Sequence, residues 1–376
     1  MGDDQRIQVQ AESLKLFCSQ ILQKLDVPEE DARIVADVLV TADLRGIESH
    51  GVARLGNFYV NGLQAGVIVP RPHVQVMRET PATALMDGGA GLGHPIAYRA
   101  MKLAIQKAAQ VGAGFVTVRN SNHFGIAGYY AMLALEHGCI GLCMTNGNRW
   151  TVPTFGRDPM LGTNPIAVAV PSGQEPPFVL DMATSTVSVG KVEVYDRLGK
   201  PIPSGWATDE TGQPTTTPGA FLRNVRASVG GGLLPLGGAG EEMGGYKGYG
   251  LAAWVDIFCA LLSGAGYADQ LYGREPDGRL RPGNLGHFFG AWRVDAFRPL
   301  EEFRATMDDL LKRLKASRKA EGHDRIYVAG EKESEEMQRR LRDGIPLLPV
   351  VMADLQALGS KFEIGLAAGG PAEANR

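Results

Sequence analysis

Apolar positions near the start of the chain recur with helical spacing. Leu14, Phe17, Cys18, Ile21, Leu22 and Leu25 form one stripe, and Ile34, Val35, Val38 and Leu39 form a second behind Pro28. Proline in a first helical turn is tolerated, because the N–H it lacks would have no partner there. The pattern predicts a helical hairpin running into Asp43 and Gly46, then an amphipathic piece over residues 55–63 that stops at Gly66. From Pro72 the period shortens to that of strands, at residues 73–77 and 83–86, followed by a glycine-rich loop over 87–93. A helix is expected over 98–111, a buried strand over 115–118, and a polar loop over 119–125 leading into a helix that ends near Gly138. Strands follow at 140–145, 166–170 and 178–185, the last delivering a polar loop.

Residues 199–245 are rich in Gly, Pro and Thr and read as one long functional or mobile loop. An apolar helix over 246–262, a strand over 288–294, and helices over 299–321, 331–343 and 350–359 complete the pattern, with a disordered tail from Gly365. The alternation of strand, loop and helix argues an α/β fold. The expected organisation is a helical segment over 1–70 packed with C-terminal helices over 299–362, an α/β body over 71–298, and a tail over 363–376.

Composition narrows the function classes. The 376 residues, 44% hydrophobic and 21% charged, suit one large or two medium globular domains. A net charge of −3 leaves no footprint for nucleic acid, and no apolar run reaches membrane-spanning length. The first residues lack the basic and apolar regions of a signal peptide, so the cytoplasm is expected. Cys18, Cys139, Cys143 and Cys259 lack zinc-site spacing and read as small core residues of a reducing compartment. No His-x-x-x-His or carboxylate–histidine cluster suggests a catalytic metal.

The candidate chemistry gathers first at Ser49, His50 and Arg54. A helix capped by Ser49 would put His50 and Arg54 on one face. There an imidazole exchanges a proton near neutral pH and a guanidinium clamps a carboxylate. Ser49 would orient the ring and Gly51 would leave room for substrate; a capped helix with a satisfied histidine and a solvated arginine is the plain alternative. His123 is a second acid/base candidate, in a polar loop at a strand end where ligand sites form. His94 reads as closing a turn, and His287 as preceding a strand. Lys247 is either a solvated lysine or, with Gly245 and Gly248 giving access, a phosphate contact. The dinucleotide fingerprint is absent: each Gly-x-Gly lacks its third glycine, so a nicotinamide cofactor needs a cradle other than Rossmann's.

Several motifs stand in a fixed order: Ala42-Asp-Leu-Arg-Gly-Ile-Glu-Ser-His-Gly51, Asn120-Ser-Asn-His-Phe-Gly125, Gly162-Thr-Asn-Pro165 and Asp181-Met-Ala-Thr-Ser185. Ile202-Pro-Ser-Gly-Trp-Ala207, Tyr246-Lys-Gly-Tyr-Gly-Leu251, Asn284-Leu-Gly-His287 and Val328-Ala-Gly-Glu331 follow them. With these the chain resembles the type-2 malate/L-lactate dehydrogenase family of NAD(P)-dependent 2-hydroxyacid and imino acid oxidoreductases. The resemblance implies a homodimer with a non-Rossmann dinucleotide-binding fold and a helical N-/C-terminal subdomain. It implies His50 as proton donor with Ser49 beside it, His123 as acid/base in some members, and Arg54 and Thr163 on the substrate.

The dinucleotide, NAD or NADP, would be held by His123, Phe124, Gly125, Asp181, Met182, Ala183, Thr184, Ser185, Tyr246, Lys247, Gly330 and Glu331. Asn146 and Arg149 lie in the variable substrate-side stretch. Arg149 would meet a second carboxylate, as in malate, or be a solvated loop residue; Trp150 would offer an apolar wall. Ala329 replaces a usual proline, and the loop before Lys247 is lengthened around 230–245. Lys191 stands where imine reductases of the family carry an aspartate, which favours a hydroxyacid over a cyclic imino acid or ureidoglycolate-like compound. A catalytically silent relative that binds a dinucleotide or acts as an interaction protein is the remaining reading.

Overall fold

The computed structural model describes residues 6–271, 273, 277, 278 and 280–366. The expected tail lies almost wholly outside them, at 367–376. The chain opens with β1 (Ile7–Val9), α1 (Ala11–Gln23) and α2 (Glu29–Leu44). Two 3₁₀ turns (Glu48–His50 and Val52–Arg54), a π-helical turn (Leu55–Val60) and α3 (Asn61–Gln64) follow. The body contains β2 (Gln75–Glu79), β3 (Thr83–Asp87), α4 (Gly93–Val111), β4 (Ala113–Ser121), α5 (Ala127–Met132), β5 (Cys139–Thr145), β6 (Ile166–Val170) and β7 (Phe178–Met182). Next come α6 (Val189–Arg197), β8 (Ala207–Thr208), β9 (Pro214–Thr215), α7 (Pro218–Ala227), α8 (Gly245–Asp256) and β10 (Leu285–Arg293). The chain closes with α9 (Leu300–Ala316), α10 (Glu331–Asp343), β11 (Ile345–Leu347) and α11 (Pro349–Phe362).

Seven strands make one sheet in the order β2-β3-β4-β10-β5-β6-β7. Only β3 and β4 run parallel; every other neighbouring pair is antiparallel. The fold is α/β but not a doubly wound parallel sheet, which agrees with the missing glycine fingerprint. α4 presents Ala97, Ala100, Met101, Ala104 and Ala108 to Met86, Val116, Val118 and Phe289 of the sheet. The small side chains let the helix lie close, and each larger apolar side chain buried there contributes about 1.5–3 kcal/mol. On the opposite face Val255 and Cys259 pack on Met144, Ile166 and Phe288. A separate core joins α1, α2 and residues 52–68 to Ile345, Leu347, Met352 and Leu355, and β1 pairs antiparallel with β11.

Two expectations about this body need correcting. α4 begins at Gly93, not at 98, so His94 lies buried in its first turn and closes no loop. A side chain at Gly93 would place Cβ 2.1 Å from the Asn122 carbonyl oxygen, so the glycine serves close packing, not a turn. The stretch 199–245 is not one loop: it contains β8, β9 and α7. Pro218 occupies the first turn of α7, and Phe221 and Leu222 pack on Val192 and Ile202.

Candidate active site

The stretch after α2 is shaped by one buried carboxylate. Asp43 Oδ2 accepts the Val52 N–H at 2.7 Å, drawing the chain back on itself. A Cβ at Gly51 would lie 1.9 Å from Asp43 Oδ1, so this glycine admits the aspartate and not a substrate. Burial pushes the Asp43 carboxyl up to about 7; Glu48 adds to the rise, while the Val52 N–H and Arg340 oppose it. Arg340 donates to the Asp43 carbonyl at 2.8 Å and to Glu48 at 2.9 Å, clamping the turn from α10.

The expected capped helix from Ser49 does not form: Gly51 is extended (φ −87°, ψ −157°) and separates the two 3₁₀ turns. Ser49 makes no cap; its Oγ lies 2.9 Å from His50 Nδ1. The Arg54 Nε donates to the Ser49 carbonyl at 2.7 Å, which leaves the outer edge of the guanidinium for a ligand.

The loop after β4 brings His123 opposite His50. The two rings are stacked, with centroids 5.5 Å apart and planes 20° from parallel. The Tyr59 hydroxyl lies 2.7 Å from His123 Nδ1, and the Gly125 N–H donates to the same atom at 3.3 Å. His287, on the central strand, lies 2.7 Å from both Thr145 Oγ1 and Ser121 Oγ, and stacks on Phe124 at 4.7 Å. It therefore supports the loop from below. Burial, then Arg54, pushes His50 down to about 4. Burial, then His50, His94, Arg54 and His287, holds His123 well below the usual histidine range. Burial drives His94 and His287 to about 3. Near neutral pH all four rings are uncharged, and a stacked imidazole pair accepts a second proton reluctantly.

His50 and His123 line a cavity of about 260 Å³ together with Ser49, Arg54, Phe124, Gly125, Asn146, Trp150 and Thr163. Its far wall comes from α6 and α7, with Glu193, Phe221, Leu222, Val225 and Arg226. Arg226 and Glu193 form an ion pair at 3.6 Å. Neither residue was singled out from the sequence; the apolar spacing of Phe221, Leu222 and Val225 was the available signal for α7.

A second cavity of about 290 Å³ is walled by Arg45, Ile47, Gly128, Asp181, Tyr327, Gly330, Lys332 and Glu333. Asp181 Oδ2 accepts the Gly128 N–H at 2.7 Å, and burial pushes its carboxyl up to about 6. Gly330 is left-handed (φ +86°), and a Cβ there would lie 2.8 Å from Val179, so only glycine fits this approach to β7. Among the described residues no group of three or more His, Cys, Asp or Glu side chains is placed to hold a metal ion. No helix among them is long and apolar enough to cross a membrane.

The family model for malate/L-lactate dehydrogenase matches residues 9–356. The chain belongs to this family. It is 47% identical to a malate dehydrogenase of Pyrococcus horikoshii, covering 96% of this chain and 97% of that one. An L-sulfolactate dehydrogenase of Methanocaldococcus jannaschii is 41% identical over 89% of this chain and 92% of its own. The crystal structure of a malate dehydrogenase from Entamoeba histolytica superimposes with a TM-score of 0.91 at 40% identity, covering 96% of this chain and 99% of that one.

Within this dehydrogenase-family chain the expected site residues divide into several groups. His50, His123, Arg54 and Thr163 share the first cavity, and Asp181 and Gly330 share the second. Asn146 reaches the first cavity, but its amide is engaged with the Gly266 carbonyl and the Gly286 N–H, both at 2.9 Å. Arg149 is exposed and lines neither cavity, while Trp150 does line the first. Thr184 Oγ1 donates to the Thr163 and Asn164 carbonyls, and Ser185 to that of Val187, so both hold the loop.

Met182 and Ala183, between β7 and that loop, line neither cavity. Glu331 is bound by Arg325 at 2.8 Å and Lys315 at 3.3 Å, beneath the second cavity's wall. Tyr246 and Lys247 are exposed at the start of α8 and line neither cavity. Two glycines beside Lys247 are required by packing: a Cβ at Gly245 would lie 2.0 Å from the Gly238 oxygen, and one at Gly248 2.3 Å from that of Leu236.

Proposed function

We propose that the protein transfers a hydride between NAD or NADP and a small 2-hydroxy acid or its 2-oxo acid, with malate and oxaloacetate the first pair to test. The observation that carries this reading is the meeting of two neutral imidazoles and Arg54 in one cavity. The residues present also fit a dinucleotide. Both cavities are walled by the same two stretches, 45–54 and 123–128, so an elongated ligand with two ends can use both. Arg45 and Lys332 supply positive charge in the second cavity, and Asp181 and Glu333 supply acceptors for hydroxyls.

When bound, the nicotinamide supplies the hydride in reduction and accepts it in oxidation. His50, with Nδ1 held by Ser49, exchanges the proton with the substrate oxygen through Nε2. Burial keeps it neutral, the form able to take a proton from a hydroxyl, although it also weakens the imidazole as a base. In the opposite direction a substrate carboxylate beside it favours the protonated form. Arg54 holds the C1 carboxylate, and Thr163 borders it. Arg226 supplies a cation for a second acidic group on the wall where the sequence suggested Arg149, and Trp150 with Phe221 closes that wall against water.

A homodimer is supported by the exposed apolar face of Tyr249, Leu251, Ile257, Leu261 and Leu262 along α8 and the π-helical turn that continues it (Ile257–Leu261). Four free buried cysteines support a reducing compartment, with the cytoplasm the simplest choice.

The test is oxidation of NADH and NADPH with oxaloacetate, pyruvate and 2-oxoisocaproate, in wild type and His50→Asn. The variant should bind cofactor normally and lose about 10²–10⁴-fold in kcat, the range for one acid/base group. No turnover with any 2-oxo acid, or an undiminished variant, would refute the reading.

A further inference from the structure

We propose that Tyr59 is a positioning residue that locks His123 in its Nε2–H tautomer, so that His123 is a fixed hydrogen-bond donor and proton exchange falls to His50. This rests on the dehydrogenase reading for its functional meaning, though the tautomer itself does not. The argument comes from the partners of each ring. Two groups converge on His123 Nδ1: the Tyr59 hydroxyl at 2.7 Å and the Gly125 N–H at 3.3 Å. The second can only donate, so a proton on Nδ1 would face another proton. Nδ1 therefore keeps its lone pair, Tyr59 donates to it, and the hydrogen sits on Nε2.

The geometry that enforces this is built into the backbone. Gly125 is left-handed (φ +80°), and a Cβ there would come 2.7 Å from Val38, so the turn that aims its N–H at the ring requires glycine. Tyr59 sits in the π-helical turn, fully buried, with its ring edge-on to His94 at 4.7 Å and to Phe58 at 5.2 Å. Widened turns of this kind recur at functional sites because they shift side chains off the regular helical face.

The contrast with His50 divides the labour. Its Nδ1 faces the Ser49 hydroxyl at 2.9 Å, and a hydroxyl either donates or accepts. His50 can thus pass between neutral and cationic forms without losing a partner, whereas His123 cannot. The titratable and charged groups acting on His123 are His50 and Arg54 from the 3₁₀ turns, His94 from α4 and His287 from β10. Of these only Arg54 is charged near neutral pH, and it opposes a positive charge on His123; each of the three imidazoles would do the same once protonated. What His123 offers the cavity is one hydrogen-bond donor, suited to the substrate oxygen or a carbonyl group of the cofactor.

The experiment is ¹⁵N NMR of the full-length protein labelled at histidine, with His123 assigned through His123→Gln. Nδ1 should be unprotonated and Nε2 protonated from about pH 6 to about pH 8. Tyr59→Phe removes one of the two donors; the other tautomer should become visible, and kcat/KM should fall about tenfold, the worth of one hydrogen bond. His123→Gln, which keeps an N–H near the Nε2 position, should retain about tenfold more activity than His123→Asn. The ionisation in the pH profile of kcat/KM should survive in His123→Gln and vanish in His50→Asn. A protonated Nδ1 in the wild type, or an ionisation that vanishes with His123 instead, would overturn the proposal. The wild-type spectrum decides the tautomer even where Tyr59→Phe fails to fold. It also needs no turnover, so a failed dehydrogenase assay leaves the tautomer result standing.

Discussion

Gly51→Ala is the sharpest probe of how the turn carrying His50 is built. The backbone at Gly51 (φ −87°, ψ −157°) is open to any residue, so alanine meets no conformational penalty there. The whole effect is steric. The added methyl would lie 1.9 Å from Asp43 Oδ1, 2.2 Å from Cγ and 2.4 Å from Oδ2. Carbon needs about 3.5 Å from a non-bonded neighbour, so the carboxylate must retreat by roughly 1.5 Å. It has little room: Asp43 is buried and accepts the Val52 N–H at 2.7 Å. Overpacking costs about 1–3 kcal/mol, and breaking that bond in a buried setting about 1–3 kcal/mol more. The expected destabilisation is about 2–6 kcal/mol, against a total stability of about 5–15 kcal/mol for a typical protein.

His50 precedes Gly51 directly, so whatever folds should also lose at least about tenfold in kcat/KM through a displaced ring. Guanidinium unfolding and steady-state kinetics read the two effects. In Gly51→Ala/Asp43→Ala the clash is absent, and about 1–3 kcal/mol of non-additivity should reappear as recovered stability. A single variant within about 0.5 kcal/mol of wild type, or strictly additive losses in the double, would refute the steric account.

Three further outcomes follow from the site. Arg54→Lys keeps the charge but loses the fork, so KM for 2-oxo acids should rise much more than cofactor affinity changes; equal damage to both, measured by kinetics and calorimetry, would make the residue structural. Arg226→Ala should reduce any preference for oxaloacetate over pyruvate while Arg149→Ala leaves it intact, since of these two arginines Arg226 lines the cavity and Arg149 does not; kcat/KM ratios with the reverse pattern would return the role to Arg149. Stability should fall in acid. His94 and His287 sit near 3 and His50 near 4, below the unfolded 6.5, so the unfolded chain takes up more protons as pH drops below 6.5. Asp43 at about 7 and Asp181 at about 6 act oppositely, their folded forms holding protons that the unfolded chain has released. His50, His94 and His287 against two carboxylates leave a net loss of about 1.4 kcal/mol per pH unit between about pH 6 and pH 4, and His123, also held well below the usual histidine range, deepens it; unfolding free energies that stay level or rise as the pH falls through that window would contradict the balance.

Local pattern carried the parts of this fold that local physics decides. α10 occupies Glu331–Asp343 as expected, because acidic residues crowd its first turn, basic ones its last, and Gly344 follows. β6 likewise coincides with its apolar run at Ile166–Val170. The turn carrying His50 shows where such reasoning stops. Ser49, His50 and Arg54 have the spacing of a helix face, but the Asp43 carboxylate intrudes at Gly51 and breaks the helix there. That intrusion is a tertiary fact, and no spacing rule within 49–54 contains it.

The same distinction separates the residues that were visible as chemistry from those that act through shape. His50 and His123 each stood out from their own surroundings, yet the 5.5 Å between their rings depends on how the turn after α2 meets the loop after β4. Tyr59 looked like one more apolar position in an amphipathic stretch, and only the π-helical turn brings its hydroxyl to His123. Lys247 attracted attention through its glycines, which in the fold serve backbone contacts with Leu236 and Gly238. Arg226 drew none, because an arginine in a polar stretch has no local signature; it matters only where α7 closes a wall of the cavity. A glycine beside a charged residue thus has two physical meanings, access for a ligand or access for the chain itself. At Gly51, Gly245 and Gly248 the second holds, and a methyl group added at each would meet protein atoms closer than 2.5 Å.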